Sequence, residues 1–279
     1  MLPNGPGGMA YLQFDYQNQD HNWSEWATAP DSDNGDKKIE TEFVTAGAQY
    51  MFNSSWGAQF ELPYDFRYFK GTDNNNNLNS HNWSQLGDLR LEGIYTGFFP
   101  DMSAGVTFGL KLPTGDHNVE SFLVDRDTQI GTGSTDILLG GFYRGNITQD
   151  EKWDWFAQTL LDVPTLIQNQ YRPGVELDTA AGIDYKGFSL GRLQISPVAQ
   201  AIISYRSSDS GANASGGASD DPEDGVSSGY ERLLLSPGVE FHIHPVIIYA
   251  DVEFPVLQHF NGNQLVAPVL VKASASFMF

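Results

Sequence analysis

The chain has 279 residues, of which 40% are hydrophobic and 18% charged, and its formal net charge is −20. A nucleic-acid partner requires a basic surface that neutralises phosphates, so this charge argues against nucleic acid as a partner. The sequence contains no cysteine, which excludes structural disulfides, thiolate metal sites and cysteine nucleophiles. We expect no cofactor, because Gly131-Thr132-Gly133 lies between two predicted strands and not before a helix, as a nucleotide site would require.

No run of apolar residues approaches the roughly 18 that a transmembrane helix needs. The start of the chain, Met1-Leu2-Pro3-Asn4, lacks the basic segment and apolar core of a secretory signal peptide. If the protein is exported, we therefore expect this start to be that of the mature chain.

The main pattern along the chain is alternation of apolar and polar residues. A strand sends successive side chains to opposite faces, so alternation predicts strands with one apolar face. The stretch 56–68 is the clearest case, and 193–206 and 267–279 repeat the pattern. The apolar set in the first stretch is Trp56, Ala58, Phe60, Leu62, Tyr64, Phe66 and Tyr68.

In chain order, this pattern predicts about twelve strands near 8–18, 37–52, 56–70, 85–99, 103–113, 134–146, 153–164, 173–186, 192–207, 229–242, 246–258 and 267–279. Many are longer than the about 5–6 residues of an ordinary strand and reach the roughly 9–11 residues that cross a bilayer. Long polar connections (19–36, 71–84, 114–133, 165–172, 207–228 and 259–266) alternate with short ones, as in outer-membrane barrels.

These features predict an all-β fold, in which residues 1–279 form a single closed antiparallel transmembrane β-barrel. In lipid every backbone polar group must be paired within the protein, which only helices and closed sheets achieve. We expect short periplasmic turns, long extracellular loops and both chain ends on the periplasmic side. The alternative is a soluble β-sandwich, which would leave a wide apolar belt in need of cover.

Aromatic residues cluster near the predicted strand ends, which is typical of the girdles that barrels place at membrane interfaces. The set is Tyr11, Tyr16, Trp56, Tyr68, Tyr95, Phe98, Phe99, Trp153, Trp155, Tyr205 and Tyr249. The terminal Phe279, with Phe277 and Val271 on the same face, resembles the C-terminal signal of outer-membrane proteins. That resemblance implies the barrel-assembly machinery as a partner, beside outer-membrane lipid and lipopolysaccharide.

Three motifs are more specific than the strand pattern. They are Leu86-Gly87-Asp88-Leu89-Arg90-Leu91-Glu92, Gly109-Leu110-Lys111-Leu112-Pro113-Thr114-Gly115-Asp116 and Ile130-Gly131-Thr132-Gly133-Ser134-Thr135-Asp136. Over roughly residues 85–145 they resemble the outer-membrane transporter family associated with the MetA pathway of phenol degradation. The resemblance implies a barrel that passes small organic molecules, and it carries no catalytic residues.

Charged residues fall on the polar face of the predicted strands. A basic residue facing lipid at the bilayer midplane costs about 2–4 kcal/mol, so we expect this face to line the barrel interior. The predicted lumen residues are Glu61, Asp65, Arg67, Asp88, Arg90, Glu92, Lys111, Asp136, Arg144, Asp162, Glu176, Asp178, Asp184, Arg206, Glu240, Asp251, Glu253 and Lys272. They form either an acidic channel that favours cations or neutral polar solutes, or a network that fills the lumen, because twelve strands lie between the filled and open sizes.

The sequence therefore favours a passive outer-membrane channel for small solutes, among them small organic or aromatic compounds. One alternative is a non-conducting barrel that acts as a scaffold or docks a partner protein of unknown identity. Another is a lipid hydrolase, because His-Asn-Trp-Ser occurs at 21–24 and again at 81–84. A serine nucleophile needs a base and an orienting group in fixed geometry, and no third member is evident, so we expect no enzymatic activity.

Two features are weak candidates for a metal site. The acidic loop with Asp31, Asp33 and Asp36 hints at calcium, but Gly35 and Asp36 stand in the reverse of the EF-hand order. His242 and His244 have the spacing of a metal pair, although a turn beside Pro245 is the simpler interpretation. We expect no metal.

Overall fold

The computed structural model describes residues 6–73, 77–119, 126–211 and 228–279. Within these ranges no helix has the length and apolar character needed to cross a membrane. The twelve long strands are β1 Gly7–Gln19, β2 Asp36–Met51, β3 Trp56–Thr72, β4 in two parts (Leu78–Leu86 and Leu89–Tyr95), β5 Ala104–Leu112, β6 Ser134–Asn146, β7 Trp153–Ile167, β8 Glu176–Tyr185, β9 Leu193–Arg206, β10 Tyr230–Ile243, β11 Val246–Val266 and β12 Leu270–Met278.

These strands form a closed antiparallel barrel. Each pairs with its neighbours in sequence, and β12 pairs with β1 from Met9↔Met278 to Gln17↔Leu270. The ends are fixed together, because Gly8 N–H donates to the Phe279 carbonyl at 2.8 Å and Phe279 N–H donates to the Gly8 carbonyl at 2.9 Å. Closure leaves no sheet edge along the spanning part, so the predicted fold class is confirmed.

The two faces of each strand differ as the alternation predicts. On β3, Phe60 and Phe66 are 43% and 45% exposed, whereas Asp65 between them is 4% exposed. Exposed apolar side chains facing outward and buried charges facing inward are the reverse of a soluble protein. This inversion is stable where hydrocarbon, and not water, surrounds the barrel.

A belt of outward aromatic rings surrounds the end of the barrel that carries the short turns. Several of the rings contact a ring on the adjacent strand, with centroids 4.8 Å apart for Trp56 and Tyr95 and 5.2 Å for Tyr143 and Trp155. Two residues assigned to the girdle from sequence, Tyr11 and Tyr249, point inward instead, since their hydroxyls donate to inner carboxylates. Their position near a strand end was the wrong criterion, because strand parity decides the face.

Two predicted long connections are wrong, because strands continue through them. Residues 78–84 of the predicted 71–84 loop pair with β3 as most of the upper part of β4. Residues 259–266 belong to β11, where Phe260–Val266 pair with the short strand His21–Glu25. That strand and Ala27–Thr28 form a small hairpin in the first long loop. The barrel wall thus extends farther at the long-loop end than the sequence indicates.

Candidate functional site

One group of charges lies on the inner face of four consecutive strands, β4 to β7. Lys111 Nζ contacts Asp162 at 2.7 Å and also forms an ion pair with Asp136, and Arg90 reaches Asp162 at 3.9 Å. Asp136 is fully buried and Asp162 is 4% exposed. Charges this deeply buried are stable only when paired, so this group is a fixed part of the wall.

A second group lies on β11, β12 and β1. Lys272 Nζ is 3.1 Å from Glu253 and 3.7 Å from Asp15. The neighbouring Asp251 carboxylate accepts hydrogen bonds from the Ser236 hydroxyl at 2.6 Å and the Tyr249 hydroxyl at 2.9 Å. Three carboxylates around one ammonium group give this part of the inner wall a net negative charge.

The other predicted lumen residues share the inward face with these groups. Glu61 accepts from the Tyr11 hydroxyl at 2.5 Å, and Glu92 accepts from Gln59 at 3.0 Å. The remaining contacts are Asp178 with Ser204 at 2.6 Å, Glu176 with Arg206 at 3.5 Å and Arg144 with the Asp101 carbonyl at 3.3 Å, while Asp65, Asp184 and Glu240 lie on the inner face of β3, β8 and β10. Their role in lining a pathway stays a prediction.

The sequence analysis did not predict that some residues of the inner face are apolar. At the short-turn end, Met51, Ile94, Met102 and Phe142 form a buried cluster. Ile94 and Phe142 have the same parity as the inward charges on their own strands. That parity could have predicted from the sequence that they face the lumen. The inner wall therefore combines an apolar patch at this end with charged groups elsewhere.

At the long-loop end, Asp88 lies in the gap between the two parts of β4 and holds both ends of the segment that joins β5 to β6. Its Oδ1 accepts from Gly115 N–H at 3.0 Å, and its Oδ2 accepts from Thr132 N–H at 2.8 Å and from the Thr132 hydroxyl at 2.6 Å. Three donors on one carboxylate form strong, charge-assisted hydrogen bonds. All three motifs identified in the sequence meet at this carboxylate.

Small residues make this meeting possible. A Cβ on Gly131 would lie 2.3 Å from the Gly115 carbonyl oxygen, so only glycine allows the two backbones to approach so closely. Thr114 completes the junction: its hydroxyl donates to the Gly87 carbonyl at 2.9 Å and accepts from Leu89 N–H at 2.9 Å.

The described part of the same segment then lies across the inner face. Inward-facing Arg67 on β3 donates to the Thr128 carbonyl at 2.5 Å and to the Gln129 carbonyl at 3.3 Å. Thr128 and Gln129 are 5% and 8% exposed. Residues 126–133, which we call the mouth segment, therefore narrow the barrel at its long-loop end.

A second junction holds the neighbouring loops. The Asp209 carboxylate accepts from the Tyr171 hydroxyl at 2.6 Å, from Gly174 N–H at 2.7 Å and from Arg206 at 2.9 Å. Burial raises the pKa of Tyr171 well above its usual value, so the phenol stays protonated and donates. Arg126 of the mouth segment lies 4.4 Å from the Tyr171 ring, which joins the two junctions.

The remaining sequence candidates do not converge on one site. In the repeated tetrapeptide, Ser84 contacts Tyr64 at 3.2 Å, and no hydrogen bond joins a serine hydroxyl to a histidine ring among the described residues. The acidic loop forms a short turn at Asp31–Asp33, and Asp36 begins β2. In the described ranges no three metal-ligating residues come together.

Neither a family model nor a curated protein matches this chain, so its resemblance to the phenol-degradation transporter family stays a prediction. Among solved structures, the COG4313 outer membrane channel from Pseudomonas putida F1 is similar at 11% identity and a TM-score of 0.68, covering 100% of this chain and 97% of that one. The beta domain of the Bordetella autotransporter BrkA is similar at 12% identity and a TM-score of 0.56, covering 98% and 100%. The fold is that of an outer-membrane β-barrel, and the protein belongs in the bacterial outer membrane.

Proposed function

We propose that the protein is a passive outer-membrane channel for small solutes. One observation carries the proposal: the inner wall includes side chains that reach water. Gln158 on β7 and Asp178 on β8 face inward and are nonetheless exposed. A lumen packed shut by its own side chains would bury them, so these residues support an aqueous space beside β7 and β8.

The composition of the inner wall supports a selectivity. Among the predicted lumen residues, carboxylates outnumber basic groups twelve to six, and a low-dielectric wall focuses their field. We expect cations and neutral solutes to pass more readily than anions. The apolar patch at Met51, Ile94, Met102 and Phe142 favours solutes with an apolar part, and small organic or aromatic compounds meet that description.

Single-channel recording in planar bilayers tests the proposal. We expect a small, reproducible open level and a reversal potential that indicates cation preference in a salt gradient. Gln158→Trp places a large ring on the inner face beside Asp178 and should reduce the open level. Gln59→Trp is the comparison, because it places the same ring at a position where Gln59 already contacts Glu92. If the folded barrel shows no open level in many insertions, and a variant that lacks residues 212–227 shows none either, the channel proposal is wrong. The protein would then be a non-conducting scaffold.

A further inference from the structure

Two opposite charges face the lumen at one level of β8 and β10, with a single strand between them. Asp178 on β8 pairs with Ser204 on β9, and Ser204 in turn pairs with Arg232 on β10. Neighbouring strands lie about 4.8 Å apart, so the backbones that carry the two charges are roughly 10 Å apart. All three residues have the inward parity of Glu176 and Arg206 on the same part of the wall.

Neither charge forms an ion pair with another described residue. The Asp178 carboxylate accepts one hydrogen bond, from the Ser204 hydroxyl at 2.6 Å, and the Arg232 guanidinium lies 4.2 Å from the Tyr230 ring centre. The nearby Glu176 and Arg206 pair with each other at 3.5 Å, so they compensate neither Asp178 nor Arg232. Each of the two charges therefore keeps a free side for a third group.

Polar atoms without partners mark the same part of the lumen. Asp178 is exposed although it faces inward. The Nε of Arg232 and the Oε1 of Gln258, its cross-strand neighbour on β11, are buried and have no hydrogen-bond partner among the described residues. Buried polar atoms without partners cost free energy. A bound polar molecule that supplies these partners would remove that cost.

Apolar residues adjoin the two charges on the inner face. Leu160 on β7 pairs directly with Asp178, and Ile202 on β9 is the next inward residue after Ser204 toward the short-turn end. Both are half-buried, so part of each side chain is open to the lumen. Ala180 and Leu234 flank Ile202 in the same row and are buried. The charged groups thus stand at the edge of an apolar strip.

We propose that Asp178 and Arg232 bind a small zwitterion with an apolar side chain, the chemistry of an apolar α-amino acid, as it passes through the lumen. Asp178 accepts hydrogen bonds from the ammonium group, and the planar fork of Arg232 donates two to the carboxylate. The apolar side chain lies against Leu160 and Ile202. A zwitterion has no net charge, which agrees with the expected preference for neutral solutes. The inference rests on the proposed channel and names its solute class.

Calorimetric titration of the folded full-length barrel in detergent with L-leucine tests the site. Asp178→Asn and Arg232→Gln should each bind leucine at least about tenfold more weakly, the loss expected for one hydrogen bond to a charged group. Asp184→Asn is the matched control, because Asp184 also faces inward on β8, about 20 Å farther along the strand, and it should bind leucine as the unchanged protein does.

A charge exchange separates recognition from a loss of folding. The double variant Asp178→Arg with Arg232→Asp should bind leucine more tightly than either single variant, because the zwitterion can bind in the reverse orientation. Heat-dependent gel mobility verifies that each variant is folded. If the exchange binds no better than the single variants, the two charges do not hold the two ends of one ligand.

Three smaller probes each remove one part of leucine. Isopentylamine lacks the carboxylate and 4-methylpentanoate lacks the ammonium group, so both should bind the unchanged barrel at least about tenfold more weakly. Glycine lacks the apolar side chain and should bind about fivefold more weakly.

The site and the channel can fail separately. If leucine does not bind the unchanged barrel, or binds both charge variants equally well, the site is wrong even where single-channel recordings show an open level. If leucine binds with the expected dependence on both charges but no open level appears, the site is supported and the channel proposal fails.

Discussion

The junction at Asp88 makes a sharp prediction about the mouth of the barrel. Its carboxylate accepts three hydrogen bonds from Gly115 and Thr132 at 2.6–3.0 Å. In Asp88→Asn the amide has one acceptor oxygen, so the Thr132 N–H loses its acceptor while the side-chain volume is kept. A hydrogen bond to a charged group contributes about 1.5–3 kcal/mol. We therefore expect release of the mouth segment to become roughly 10- to 150-fold more frequent, at about 1.4 kcal/mol per tenfold.

Single-channel recording measures this as more frequent or longer openings to a higher conductance. Asp101→Asn is the matched control, because Asp101 also accepts a backbone N–H, from Ser103 at 3.1 Å, but at the short-turn end. Its recordings should match those of the unchanged protein. If Asp88→Asn shows unchanged openings and unchanged cleavage by added protease in 113–133, the mouth segment is not held by this carboxylate.

Three other predictions follow from the inner wall and its loops. Gly131→Ala should reproduce the Asp88→Asn openings, because its Cβ would meet the Gly115 carbonyl. Gly141→Ala, which likewise has no positive φ and whose Cβ would come no nearer than 3.6 Å to another atom, is the control and should leave the openings unchanged. Asp162→Asn removes one of the two carboxylates that pair with Lys111, so the free energy of unfolding in urea titrations should fall by about 1.5–3 kcal/mol. An unchanged midpoint would contradict a fixed ion-pair network. Glu253→Gln together with Asp15→Asn should reduce cation preference, measured as a smaller reversal potential, and an unchanged potential would mean that ions do not pass Lys272.

The spanning part of the fold could be predicted because lipid imposes a strict rule. Every second residue must be apolar where hydrocarbon touches the wall, and Trp56 to Tyr68 follow that rule. The upper part of β4, Leu78–Leu86, could not be predicted in the same way. It stands beyond the lipid, so Ser80, Asn82 and Ser84 occur at outward positions where alternation would have required apolar residues. The same reason explains why 259–266 resembled a loop.

The inward charges could be assigned from parity alone, but their partners could not. Asp88 contacts residues that are 27 and 44 positions away in the sequence. No local pattern predicts contacts between residues so far apart in the chain. The three motifs indicated that these segments matter, whereas only the three-dimensional structure shows that they meet at one carboxylate. The apolar inner patch was missed for a simpler reason: lipid requires the outward residues to be apolar, but nothing requires every inward residue to be polar.

The same feature of the sequence accounts for both insertion and selectivity. Lipid excludes charge from the outer face, so the strands carry most of their charge on the inner face. The outward exceptions lie toward the long-loop end and include Lys38, Glu40, Glu42, Lys70 and Glu231. Because the inner carboxylates outnumber the bases, pairing cannot neutralise them all, and an excess such as that around Lys272 must remain. Lowering this excess without changing the outer face should alter ion preference and leave membrane insertion unchanged, which separates the two consequences of one alternating pattern.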